Sequence, residues 1–82
     1  QKNICNVWIN ENDEIAFFEN DNLKLIQFSD LKQQIMTRLA SNDKLIISLK
    51  AERDATYRMF VDVLDELKLA GATRISIAEP EQ

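Results

Sequence analysis

Apolar and polar positions divide the chain into a short series of strands and helices. Ile4, Cys5, Val7 and Ile9 are apolar around polar Asn6 and Asn10, with Trp8 between them. This pattern predicts a first strand from about Asn3 to Asn10. Ile15-Ala16-Phe17-Phe18 predicts a second strand. The polar run Glu11-Asn12-Asp13-Glu14 makes the two a hairpin, because Asn or Asp can take the left-handed conformation that glycine usually supplies. A second polar turn follows at Glu19-Asn20-Asp21-Asn22. Leu23 to Phe28 reads equally well as a short strand or an extended connection.

Ser29 is a suitable N-cap and Asp30 places a carboxylate in the first helical turn. Leu31, Ile35 and Leu39 recur at helical spacing with Met36 beside them, so a helix is expected from about Asp30 to Ala40. Ser41-Asn42-Asp43 ends it. Leu45 to Leu49 is a third strand, and its apolar continuity predicts burial on both faces near the sheet centre. A second helix is expected from Arg58 to Ala70. Its apolar stripe is Tyr57, Phe60, Val61, Leu64 and Leu67, with Arg58, Asp62, Asp65, Glu66 and Lys68 largely on the other side. Gly71, the only glycine, fits the position just past the helix end. Arg74 to Ala78 is a last strand, parallel to the third and joined to it by a right-handed crossover. Pro80 prevents that strand from continuing as an interior one.

The predicted order is β-β-α-β-α-β. It specifies an α+β fold of two layers, one mixed sheet with two helices packed on one face. The 82 residues make a single domain, 1–82. A chain this short buries only about 60–65% of its unfolded surface, so a second copy would supply useful burial. The formal net charge is −4 and the cations are scattered, which argues against nucleic acid and anionic membrane surfaces as partners. No apolar run approaches the roughly 20 residues that span a bilayer. The chain starts at Gln1 rather than a methionine. It is therefore expected to be a soluble piece from which any targeting segment has been cut.

Candidate chemistry is sparse. With no histidine, the commonest general base and metal ligand are both missing. One glycine cannot build a phosphate-cradling loop. No catalytic, cofactor-binding or metal-ligating residues are assigned. Cys5, the only cysteine, reads as a small buried hydrophobe, or else as half of an intermolecular disulfide. Asp62, Asp65 and Glu66 can converge on one helix face as a cation or acid/base site, or simply form a solvated acidic face. The turns Glu11-Asn12-Asp13-Glu14 and Glu19-Asn20-Asp21-Asn22 lack the calcium-loop spacing. Glu52-Arg53-Asp54 lies at the C-terminal end of the third strand, where open sheets often take ligands. Capping of the next helix by Asp54 is the competing reading. Phe17 and Phe18 are adjacent in a strand and point to opposite faces. One of the two rings is then left for solvent, a neighbouring loop or a partner.

The segment from Leu45 to Ala78 resembles the C-terminal half of the ExbD/TolR family. The strand and turn match along Leu45-Ile46-Ile47-Ser48-Leu49-Lys50-Ala51-Glu52-Arg53-Asp54. The helix matches at Tyr57, Val61, Val63 and Leu64, and at the ending Asp65-x-Leu67-x-x-Ala70-Gly71. Arg74-Ile75-Ser76-Ile77 matches the strand that follows. Glu52 replaces the family's usual aspartate, and Thr56 stands where proline is common. The N-terminal half matches only in its order of elements.

The resemblance implies a protein with a cytoplasmic tail, one transmembrane helix bearing a proton-responsive aspartate, and a small periplasmic domain. Such proteins work with ExbB/TolQ-type partners as a proton-driven inner-membrane motor. Their periplasmic domains dimerise and engage TonB, TolA or peptidoglycan. This chain is then the periplasmic domain alone, as a homodimer, with no enzyme activity and no cofactor. None of Asp54, Asp62 or Asp65 takes the role of the membrane aspartate. Strand addition to a sheet edge is the expected binding mode. The candidate edges are Arg74, Ile75 and Ile77 on the last strand, and Ile15, Phe17 and Phe18 on the hairpin. The alternative is a small-molecule-sensing domain of ferredoxin-like type that uses Glu52-Arg53-Asp54. A carboxylate hydrolase built on Asp62, Asp65 and Glu66 is a third possibility.

Overall fold

A computed structural model of the chain describes residues 3–19 and 21–78. Five strands and two helices follow in the order β1 (Ile4–Ile9), β2 (Ile15–Glu19), β3 (Asn22–Ile26), α1 (Phe28–Ser41), β4 (Ile46–Ala51), α2 (Tyr57–Leu69) and β5 (Ile75–Ala78). One mixed sheet runs β3-β2-β1-β4-β5. β1 is antiparallel to β2 and parallel to β4, β2 is antiparallel to β3, and β4 is parallel to β5. The α+β fold, the hairpin and the parallel β4–β5 pair are as the sequence predicts. Asn20 and Pro80, to which turn and strand-stop roles were assigned, lie outside the described residues.

The core forms where alternate strand positions meet the two helices. Cys5, Val7 and Ile9 from β1, Ile15 and Phe17 from β2, and Ile47 and Leu49 from β4 are buried together with Leu31 and Ile35 of α1 and Val63 and Leu67 of α2. The period-2 alternation of strands explains this, since residues two apart share a face. β4 is therefore buried on one face only. Ser48 and Lys50 point the other way and are partly exposed, and the middle strand is β1. The expectation of a two-faced central β4 fails because Ser48 and Lys50 interrupt its apolar run.

The helices also differ in detail from expectation. α1 starts at Phe28, with Gln27 as N-cap and no side-chain cap bond. Ser29 is therefore inside the helix rather than capping it. Met36 is exposed. In α2 the fully buried positions are Val63 and Leu67. Phe60 and Leu64 pack partly against the core, while Tyr57 is 79% exposed. Gly71 takes φ +99°, the left-handed region in which a Cβ is strained. In the stretch from Leu23 to Phe28 the strand alternative holds, as β3 runs as far as Ile26.

Two polar ties fix the loops. Asp13 has φ +59° and Asp21 φ +65°, so aspartates supply the left-handed residue in both hairpin turns. Asn10 Oδ1 accepts hydrogen bonds from the Asn12 and Glu14 amides at 2.9 and 2.8 Å. Thr56, not Asp54, caps α2, and its hydroxyl oxygen accepts from the Met59 amide at 3.1 Å. Asp13 in turn accepts from the Thr56 amide at 2.8 Å and from its hydroxyl at 3.0 Å. The cap is thus held by the first hairpin turn, 43 residues away in sequence. Thr56→Ala is expected to cost about 0.5–2 kcal/mol in urea unfolding, the usual loss for such a cap.

Candidate edge-binding site

The sheet order decides which backbone groups are free. β3 and β5 are the edges, whereas β2 lies between β1 and β3. Ile15 and Phe17 are buried among the core residues, and Phe18 pairs across to Asn6 and Leu23. The expectation that Ile15, Phe17 and Phe18 form an edge is corrected on this ground, because β3 takes up the free side of β2. Phe18 instead stacks on Trp8 on the sheet face opposite the helices, with ring centroids 5.4 Å apart. Lys50 Nζ lies 5.1 Å from the Trp8 ring centroid. Leu23 and Leu25 extend this apolar face to the β3 edge and are more than half exposed.

Ile75 and Ile77 lie on the β5 edge, and Arg74, expected as the first residue of the last strand, immediately precedes it. The Ile47 amide donates to the Arg74 carbonyl at 2.8 Å, which turns the hydrogen-bonding groups of Arg74 and Ser76 toward β4. Alternation along the strand then directs the N–H and C=O of Ile75 and Ile77 outward. Ile77 is 50% exposed although it pairs with core Leu49. Beside it is a groove of about 310 Å³ lined by Ala51, Arg53, Tyr57, Phe60 and Ile77, among others. The Tyr57 ring stacks on Phe60 with centroids 6.3 Å apart and forms one wall. Sequence periodicity assigned Tyr57 to the core. It stands in the first turn of α2, directly after the Thr56 cap, on the groove rather than in the core.

Glu52, Arg53 and Asp54 are all exposed, and Glu52 and Arg53 line the same groove. Asp62 and Asp65 are exposed on α2, and Glu66 is partly so. Among the described residues no group of three or more Cys, Asp or Glu is placed to hold a metal ion. No helix among them is long and apolar enough to cross a membrane.

Cys5 lies at the other end of the sheet, 4% exposed. Burial pushes its thiol above the ordinary value of 9.0. The Arg38 cation pulls it down and Glu19 pushes it up, both more weakly. Arg38 and Glu19 form an ion pair, and the Arg38 guanidinium covers the Phe17 ring at 4.4 Å. A thiol whose folded pKa is raised contributes stability that is complete below the unfolded value and lost as pH rises toward the folded one. The stability difference between the wild type and Cys5→Ala is therefore expected to narrow in urea melts as pH rises through and above the ordinary thiol value of 9.0.

The family model described as Biopolymer transport protein ExbD/TolR matches residues 1–81. The chain belongs to the ExbD/TolR family. The match covers the N-terminal hairpin as well as the β4-α2-β5 segment that carries the local motif. A search of curated proteins finds no significant match to the chain. Membership of the ExbD/TolR family places the chain among the components of biopolymer transport. In family terms, the strand and turn at Leu45 to Asp54, the helix ending at Gly71 and the strand after it are β4, α2 and β5. These elements build the groove and the free edge.

Proposed function

We propose that this chain is the periplasmic domain of a single-pass inner-membrane protein of the ExbD/TolR type. It transmits force without catalysis, as a homodimer, by taking an extended segment of TonB or TolA onto β5. Peptidoglycan is a further surface for the same domain. The membrane part of such a protein contacts an ExbB/TolQ-like partner. The observation that carries the reading is the free β5 edge at Ile75 and Ile77, which lies beside an apolar groove. Strand addition needs outward backbone groups for affinity and a neighbouring pocket for selectivity, and β5 provides both. The short four-residue strand limits unwanted pairing with other chains.

Nitrogen-15-labelled protein titrated with TonB- or TolA-derived peptides tests the reading. The expected result is a change of amide shifts at Ile75, Ser76 and Ile77 with little change in β3. No change along β5 with any peptide would remove strand addition. A monomer by light scattering at high protein concentration would remove the dimer.

A further inference from the structure

The β5 edge carries more information than a generic strand acceptor. On the added strand, side chains directly opposite a β5 residue lie on the same sheet face as that residue. The position opposite Ile77 therefore faces the groove walled by Tyr57 and Phe60. The position opposite Arg74 is three residues away. That odd offset puts it on the face that the helices leave open. Arg74 is exposed, and among the described residues its guanidinium has no ion pair. No carboxylate lies on β5 itself, which reads Ile-Ser-Ile-Ala. A carboxylate on the incoming strand complements this exposed cation, although the chain as a whole carries −4. Its attraction to acid is local, because it comes from one arginine rather than from the field of the protein.

Antiparallel pairing is slightly more stable per residue than parallel pairing. In that direction the residue opposite Ile77 comes first in the added chain and the residue opposite Arg74 follows three positions later. We propose that β5 selects an extended segment of the form apolar-x-x-Asp/Glu. The large aliphatic or aromatic side chain enters the groove beside Ile77 and Tyr57, and the carboxylate meets Arg74. This rests on the strand-addition reading and specifies its ligand. Tyr57 acts as a specificity-determining residue, since its exposed ring closes the groove without contributing to the buried core.

Fluorescence anisotropy with labelled synthetic peptides tests it on the domain as it stands. The set is Leu-x-x-Glu, Leu-x-x-Lys, Ala-x-x-Glu and the reversed Glu-x-x-Leu, in one extended host sequence. The Leu-x-x-Glu peptide is expected to bind about fivefold more tightly than Leu-x-x-Lys, as an exposed charge pair allows. It is expected to bind about tenfold more tightly than Ala-x-x-Glu, from lost apolar burial. Arg74→Glu is expected to invert the charge preference. Tyr57→Ala is expected to weaken binding of the leucine peptides several-fold with an unchanged melting temperature.

Equal binding of the Glu and Lys peptides, or a preference untouched by Arg74→Glu, overturns the motif while leaving strand addition standing. Tighter binding of Glu-x-x-Leu overturns the antiparallel direction, and the proposed motif with it. An edge occupied by a second copy, seen as a dimer insensitive to every peptide and broken by Ile77→Pro, also overturns the proposal. If no peptide shifts the β5 amides, the strand-addition reading falls together with this one.

Discussion

Phe17→Ala is expected to remove a large fraction of the protein's stability and to lower its urea midpoint steeply. Truncating a fully buried phenylalanine costs about 3–5 kcal/mol. A chain of 82 residues has about 4–12 kcal/mol in total. Phe17 is 1% exposed and lies in the middle of β2, with the helices above it. Its removal leaves a cavity that neighbouring strands cannot close without shifting register. It also withdraws the aromatic face under the Arg38 guanidinium and loosens the clamp formed with Glu19. Phe18→Ala is the control, because that ring stacks on Trp8 on the open face and leaves no enclosed hole. Urea melts of both variants measure the difference. A Phe17→Ala midpoint as close to wild type as that of Phe18→Ala would show that the core is not centred on this ring.

Proline at Ile77 and proline at Ser76 are expected to have opposite consequences. The Ser76 amide turns toward β4, as the 2.8 Å bond from Ile47 to the Arg74 carbonyl establishes for this register. Ser76→Pro removes a ladder donor inside the sheet and leaves an acceptor on β4 unpaired, at about 1–3 kcal/mol. Ile77→Pro removes an outward donor instead, and proline at such an edge position is compatible with the strand. The fold is then retained while partner peptide binding falls by more than about tenfold, from the lost edge bond and the ring's bulk along the docking line. Circular dichroism and peptide titration on both variants check the contrast. Full peptide binding by a folded Ile77→Pro protein would place the partner elsewhere.

Much of this architecture was legible in the sequence where the signal is local. Val7 and Ile9 alternate with Trp8 and Asn10, and that is enough for a strand. Gly71 after Lys68, Leu69 and Ala70 is enough for a helix stop. Asp13 in a polar turn is enough for a left-handed residue. Strand adjacency is not local, and this is why Ile15 to Phe18 were assigned to an edge. Nothing within β2 reports that Leu23 to Ile26 will pair beside it. The same limit applies to Thr56. Its capping role was visible in principle, but its bonds to Asp13 are formed by a residue on another element. On β5, the parallel pairing with β4 was legible because a crossover helix separates the two strands, whereas the edge position of Ile75 and Ile77 depends on strand order. Tyr57 was not legible as a groove wall, since helical periodicity gives it the same stripe as the buried Leu67.

Under the proposed function, the strand order also sets how the domain would carry a load. β1, β4 and β5 run in the same direction, side by side. A pull along a segment paired to β5 acts parallel to these strands and crosswise to the hydrogen bonds between them. All bonds of the β4–β5 and β1–β4 ladders then resist together in shear, whereas a pull across the sheet would open them one at a time. The Glu52 amide bonded to the Ile9 carbonyl at 2.9 Å and the Asp13 tie to Thr56 anchor the same end of the sheet. If β5 takes the load as proposed, the direction of the pull, more than the number of bonds β5 makes, governs how much tension the domain would bear before it yields.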